Sequence, residues 1–218
     1  MTSRTSISTS RRIRAAALVA ALLLSVTACN GGRAEPNASP SGGTQSPPVS
    51  TTPSATPSPT ASYKPADASG RAQNVPVPVL PEAAKLETKE GLEAFARYWF
   101  QLLSYGYETG DTVPLDSVTS STCAPCITAK KDITAWHQEG RWLIGGQITT
   151  PAVETTFSIG ADGIYKVAVQ AHQVPLIYLR ADGSVAQTGK QEDDTGNLLL
   201  IAYRNHAWHV DDVGNIVG

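Results

Sequence analysis

Two cysteines three residues apart, Cys123 and Cys126, are the side chains whose type and spacing most directly suggest chemistry. A Cys-x-x-Cys pair that opens a helix is typical of redox dithiols, because a helix N-terminus lowers the pKa of a thiol. Zinc would need two more ligands at suitable spacing, and the chain has only one other cysteine, Cys29. Thioredoxin-like enzymes place the motif after a strand, whereas a helix or loop precedes it here. The sequence therefore favours a structural disulfide over thiol-disulfide exchange.

The other ionisable residues give weaker signals. The acidic run at residues 192–194 lacks the alternating ligand spacing of a calcium loop and indicates a solvated hairpin loop. The histidines form no H-x-H or H-E-x-x-H pattern, so we expect surface or turn positions and neither a metal nor a cofactor. The four histidines are His137, His172, His206 and His209.

The N-terminus has the organisation of an export signal. A basic stretch with arginines at positions 4, 11, 12 and 14 precedes the apolar run 15–24. Val26-Thr27-Ala28-Cys29 follows and resembles the lipobox of bacterial lipoproteins. That resemblance implies cleavage between Ala28 and Cys29 and acylation of Cys29, palmitate included. An ordinary secretory signal is less favoured, and a retained membrane helix needs about 20 apolar residues, more than this run provides.

A lipid-anchored chain would lie on the outer face of a bacterial cell membrane, where thiols tend to oxidise. The paired arginines at positions 11 and 12 leave both the general secretory and the twin-arginine export routes open.

Residues 29–75 predict a disordered tether, because Ser, Thr, Pro, Gly and Ala dominate and no aromatic residue occurs before Tyr63. Its Ser/Thr/Pro content permits O-glycosylation. Beyond the signal the chain carries 19 acidic and 13 basic residues, which argues against nucleic acid as a partner. A cell-wall component or another protein remains an open partner, as does the oligomeric state.

Residues 76–218 predict one α+β domain, with helices first and strands after. Apolar residues recur at helical spacing over 88–107, and shorter helices are indicated at 111–118 and 121–139. After Gly140 the apolar period changes to two, which is typical of strands. The predicted antiparallel strands are 142–148, 153–159, 165–172, 176–180, 197–205 and 208–217.

This layout resembles the cone-shaped fold of the NTF2-like superfamily, which includes polyketide cyclases and ketosteroid isomerases. The motifs at 96–100, 105–112 and 123–126 are more narrowly similar to an uncharacterised lipoprotein family of high-GC Gram-positive bacteria. The resemblance implies three helices packed on one curved antiparallel sheet. It also implies a cone interior lined by residues such as Trp99, Tyr165 and Tyr203.

The apolar strand faces that would line this cone contain no acid. The cyclase-like enzymes use an Asp or His inside the cone to abstract a proton, so an interior without a base favours binding over catalysis. The leading hypothesis is a lipid-anchored extracytoplasmic binding or interaction module. The alternatives are an isomerase or cyclase-like enzyme in the cone and, third, an oxidoreductase acting through Cys123 and Cys126.

Overall fold

The structure is a computed structural model that describes residues 61–190 and 193–216. The predicted signal peptide, the cleavage site at Ala28, the lipidation site Cys29 and residues 29–60 of the predicted tether lie outside the described residues. Within the described part, no helix is long and apolar enough to span a membrane.

Among residues 61–190 and 193–216, three helices follow a 3₁₀ turn at Glu82–Lys85: α1 (Lys89–Thr109), α2 (Val113–Asp116) and α3 (Ala124–Trp136). The long helix α1 begins where the Thr88 hydroxyl accepts a 3.0 Å hydrogen bond from the Gly91 N–H, which satisfies one of the free donors of the first turn. It ends at Gly110, whose φ of 81° is the left-handed conformation that glycine adopts readily. The three predicted helices are confirmed with small shifts at their ends.

In the part of the chain that the structure describes, seven antiparallel strands form two open sheets rather than one. Strands β1 (Trp142–Ile144), β4 (Ile177–Leu179) and β5 (Val185–Thr188) make a three-stranded sheet in the order β1-β4-β5. Strands β2 (Ile148–Glu154), β3 (Ile164–Gln173), β6 (Thr195–Arg204) and β7 (Ala207–Asn215) make a four-stranded sheet in the order β2-β3-β6-β7. The α+β class is confirmed, whereas the single sheet was wrong and β5 was not predicted.

The two sheets separate where two neighbouring segments interrupt the strands. These segments are the β1–β2 connection and the β3–β4 connection. Gly145 and Gly146 adopt φ of 82° and 80° and end β1, so the predicted strand 142–148 is interrupted. A Cβ on Gly145 would lie 2.1 Å from the carbonyl oxygen of Pro175 in the β3–β4 connection. This close approach requires glycine, and it separates the β1–β4 pairing from the β2–β3 pairing.

The core lies between α1 and the four-stranded sheet. Buried residues recur along α1 at three- and four-residue spacing, and alternate residues of β3 face them, as expected for a helix packed on a half-buried sheet. The largest fully buried side chains include Leu92, Phe95, Leu102, Val167, Leu199, Ile201 and Trp208.

Residues 62–74, which the sequence assigned to the disordered tether, form an N-terminal hairpin of the domain. Lys64 and Gln73 exchange backbone hydrogen bonds of 3.0 and 2.9 Å, and Asp67 and Gly70 exchange a second pair. The Trp142 indole N–H donates to the Asp67 carbonyl at 3.0 Å, which docks the hairpin on β1. The tether prediction is therefore wrong for this part, because the hairpin bonds to Trp142, Glu108 and His137, which are distant in sequence.

Candidate functional site

The predicted cone-lining residue Trp99 lies in the core rather than on a cavity. Its side chain is 4% exposed, and its indole N–H donates to the Thr119 hydroxyl at 2.9 Å. That hydroxyl in turn donates to the Leu115 carbonyl at 2.7 Å. The hydrogen-bonding capacity of Trp99 is therefore used within the protein, as is usual for a buried polar group.

Tyr165 and Tyr203, the other two predicted cone-lining residues, both pack against Trp208. The ring centroids of Tyr165 and Tyr203 lie 5.3 and 4.6 Å from that of Trp208, within the range of favourable aromatic pairs. Trp208 is 2% exposed. We call this group the aromatic cluster; its members are Phe95, Phe157, Tyr165, Tyr203 and Trp208.

The polar tips of the aromatic cluster converge on three consecutive residues before α1. The Tyr203 hydroxyl donates to the carbonyl of Lys85 at 3.1 Å, and the Trp208 indole N–H donates to that of Leu86 at 3.2 Å. The Tyr165 hydroxyl donates to the Glu87 carboxylate at 3.0 Å. Burial and the neighbouring Glu87 both raise the pKa of Tyr165, so its hydroxyl keeps its proton. Sequence reasoning missed these acceptors, because nothing in residues 85–87 marks them.

Cys123 and Cys126 are joined by a disulfide with a Cα–Cα distance of 5.3 Å. The two residues are 0% and 4% exposed, at the start of α3. Attack on a disulfide requires a thiolate to reach one of its sulfurs. A buried disulfide at this position therefore offers a partner thiol little access.

The histidines occupy two unlike environments. His172 on β3 shares a 2.7 Å hydrogen bond with Asp194, which also accepts from Gln170 at 2.7 Å. His137 follows α3 and donates from Nε2 to the Tyr107 carbonyl at 2.9 Å, while its buried Nδ1 has no partner among the described residues. Within residues 61–190 and 193–216, no three His, Cys, Asp or Glu residues are grouped closely enough to bind a metal ion.

An open groove of about 350 Å³ lies where the N-terminal hairpin, α1 and the start of β2 meet the extended strap formed by residues 75–81. We call it the strap groove. Four of its lining residues are spaced along α1 so that they share one helix face. The groove is lined by Tyr63, Val75, Pro76, Pro78, Gln101, Ser104, Tyr105, Glu108, Gln147 and Ile148.

The tyrosines of the strap groove bond to carboxylates. The Tyr63 hydroxyl donates to Glu108 at 2.5 Å, and the Tyr105 hydroxyl donates to Asp111 at 3.2 Å. The hydrogen bond to Glu108, with smaller contributions from burial and from the Glu108 charge, raises the pKa of Tyr63 to about 12. Tyr63 therefore keeps its proton and donates it to the hydrogen bond with Glu108. Sequence reasoning placed Tyr63 in the tether, and its being the first aromatic residue was the only available signal.

In its described residues the chain is thus an α+β domain with a packed aromatic cluster, a buried disulfide and an open surface groove. It belongs to the family of unknown function DUF6318, whose model matches residues 61–214. The match includes the N-terminal hairpin, in agreement with its place in the domain. The family confirms the resemblance to an uncharacterised domain family.

No curated protein matches the chain. Among solved structures, the intermembrane space region of the chloroplast protein ARC6 matches with a TM-score of 0.40 and 13% identity, over 60% of this chain and 98% of that one. A likeness at this level is too low to carry an argument about fold or function.

Proposed function

We propose that this protein is a lipid-anchored, extracytoplasmic binding module of the bacterial cell envelope that performs no chemistry of its own. The observation that carries the proposal is the filled aromatic cluster. Its tyrosine hydroxyls and its indole N–H all donate to residues 85–87, so none is left to orient a substrate. Asp132, the acidic residue on α3, is exposed to solvent.

The envelope location is supported by the sequence and by the disulfide. Val26-Thr27-Ala28-Cys29 supplies the processing and acylation motif, and several acyl chains on one cysteine make attachment stable. The Cys123–Cys126 disulfide persists in an oxidising compartment, which agrees with export. This proposal requires two partners. One is the membrane, which the lipid on Cys29 enters, and the other is a cell-wall or protein ligand.

We also propose that the domain is a variant of the NTF2-like cone. The order of three helices followed by antiparallel strands, with α1 packed on the four-stranded sheet, supports this. The separate three-stranded sheet is the departure from the expected single curved sheet.

Lipidation can be tested on the full-length chain expressed in an actinobacterial host. We expect the membrane fraction to contain protein whose N-terminal peptide begins at Cys29 and carries acyl chains by mass spectrometry. Cys29→Ala should give uncut or released protein without lipid, and Cys123→Ala should remain anchored. An unlipidated N-terminal peptide in the wild type would rule out the anchor.

A further inference from the structure

The strap groove differs from the interior because it presents polar groups that the protein does not use. The amide side chains of Gln101 and Gln147 line the groove, and neither forms a hydrogen bond with any residue in the described ranges. The Ser104 hydroxyl, like those of Tyr63 and Tyr105, is already used, since it donates to the Phe100 carbonyl and accepts from the Ile148 N–H, both at 2.9 Å. Two amides are therefore available to an outside ligand.

The rings around the groove favour an extended ligand of a particular backbone type. Tyr63 and Tyr105 supply aromatic surfaces, while Pro76 and Pro78 supply pyrrolidine rings. Aromatic-lined grooves bind polyproline II segments, whose preformed backbone loses little entropy on binding. The carbonyls of such a segment have no internal hydrogen bonds, so the free amides of Gln101 and Gln147 can donate to them.

The charge of the groove indicates which side chain the ligand carries. Glu108 is the acidic residue in the lining, and no Lys or Arg lines the groove. One Glu108 oxygen accepts from Tyr63, and none of the ion pairs within the described ranges includes Glu108. A carboxylate without a basic partner at the edge of an apolar groove is complementary to a cation on the ligand.

We propose that the strap groove binds an extended, proline-rich peptide that carries a basic side chain, with Glu108 pairing the cation and the rings of Tyr63 and Tyr105 packing on the prolines. This ligand class rests on the proposed binding function and specifies it. The chain's own segment 36–60 is rich in proline but has no Lys or Arg, so it lacks the group that Glu108 would select.

The test measures peptide binding to the full-length chain in mild detergent by fluorescence anisotropy. The probes are a labelled proline-rich decapeptide with one central arginine, the same peptide with glutamate in its place, and a Gly/Ser decapeptide with the same arginine. We expect the first to bind tightest, with an affinity that falls as salt is added. Equal binding of the arginine and glutamate peptides, or of the Gly/Ser peptide, would overturn the proposal.

Matched variants locate the binding. Glu108→Gln should weaken binding of the arginine peptide up to about fivefold, as expected for the loss of an exposed ion pair. Glu90→Gln, on the same helix but outside the groove, should leave the affinity unchanged. Tyr105→Ala should weaken it about tenfold, and Tyr105→Phe, which keeps the ring, should bind like the wild type. Unchanged affinity in Glu108→Gln and Tyr105→Ala would place the binding elsewhere and reject the groove.

One further variant separates the chain's own segment from an outside peptide. Deletion of residues 36–60 removes a competitor from the groove only if that segment binds there. If the deletion strengthened binding of every proline peptide irrespective of its charge, the segment itself would occupy the groove and the proposal would be wrong. Detection of lipid on Cys29 is independent of these results, so a failed groove leaves the proposed anchor intact.

Discussion

The aromatic cluster and the strap groove are built from the same kinds of residue and lie against the same helix, yet they differ in how completely their polar groups are used. In the aromatic cluster, every hydroxyl and indole N–H donates a hydrogen bond to one of residues 85–87. In the strap groove, two amides and one carboxylate oxygen have no partner among the described residues.

The contrast shows how one helix serves two purposes. The face of α1 that carries Leu92, Phe95 and Trp99 is buried against the sheet, while the face that carries Gln101 and Glu108 borders the groove. Polar groups that are all hydrogen-bonded within the protein stabilise a single packed state, whereas polar groups without a partner in the protein can bind a ligand. Substitutions in the two regions should therefore affect different measurements.

The largest expected effect is on the aromatic cluster. Trp208→Ala should lower the free energy of unfolding by about 3–5 kcal/mol, because it removes a buried indole and leaves a cavity. Trp136→Ala, at a half-buried position on α3, is the matched control and should have a clearly smaller effect. Guanidinium unfolding followed by circular dichroism measures both, and equal losses would show that the cluster is not the centre of the core.

The sequence predicts the cluster better than it predicts the groove, for a physical reason. Helix α1 and strand β3 carry local apolar periods of 3.6 and 2, so their buried faces can be read from the sequence. The groove depends on residues 62–74, whose composition is that of a flexible linker. Their order comes from the side chains of Trp142 and Arg71, whose bonds connect residues 75 and 66 positions apart.

The two sheets were missed for a similar reason. Gly145 and Gly146 can be seen in the sequence, but the close approach of Gly145 to Pro175 and of Gly146 to Leu176 exists only in the folded chain. The burial of Trp99 and Tyr165 could be predicted from the spacing of apolar residues. The groups that accept their hydrogen bonds, Thr119 and Glu87, could not. A cavity cannot be distinguished from a packed interior by periodicity alone.

The second prediction concerns the junction that holds the N-terminal hairpin beside the groove. Gly110→Ala should lower the free energy of unfolding by about 2–3 kcal/mol, because φ is 81° and the new Cβ would lie 2.6 Å from Cγ of His137. Gly163→Ala is the control: its φ is 77°, but no atom lies within 4 Å of the new Cβ, so only about 1 kcal/mol of backbone strain is expected. Thermal unfolding that ranks the two equally would contradict the contact with His137.

The third prediction concerns the disulfide at the edge of the core. Replacing Cys123 and Cys126 together by alanine should lower the free energy of unfolding by about 1–2 kcal/mol, because a bridge over so short a loop restricts the unfolded chain only slightly. The far-ultraviolet circular dichroism spectrum should be unchanged. Wild-type protein unfolded with and without a reductant should show the same difference, and a catalytic rate of insulin reduction would instead favour the oxidoreductase alternative.

The smallest expected effect is the pH dependence of the hairpin junction. Burial lowers the pKa of His137, the hydrogen bond to the Tyr107 carbonyl raises it, and the nearby Arg71 lowers it, with a net downward shift. Arg71 also donates to the His137 carbonyl at 3.0 Å and so links the N-terminal hairpin to the end of α3. Protonation would place an N–H on the buried Nδ1, which has no acceptor among the described residues.

Because the unfolded histidine titrates near pH 6.5, the unfolded chain binds this proton at a higher pH than the folded chain does. The stability that the neutral imidazole contributes is therefore present above about pH 6.5, and it is lost as the pH falls from there through the folded-state pKa. Guanidinium midpoints measured between about pH 7.5 and 5 should decline on the acid side. His137→Gln keeps an N–H donor for the Tyr107 carbonyl and should flatten that decline, whereas His206→Asn in an exposed turn should leave it unchanged. An identical slope in all three proteins would mean that the imidazole of His137 does not sense pH at this junction.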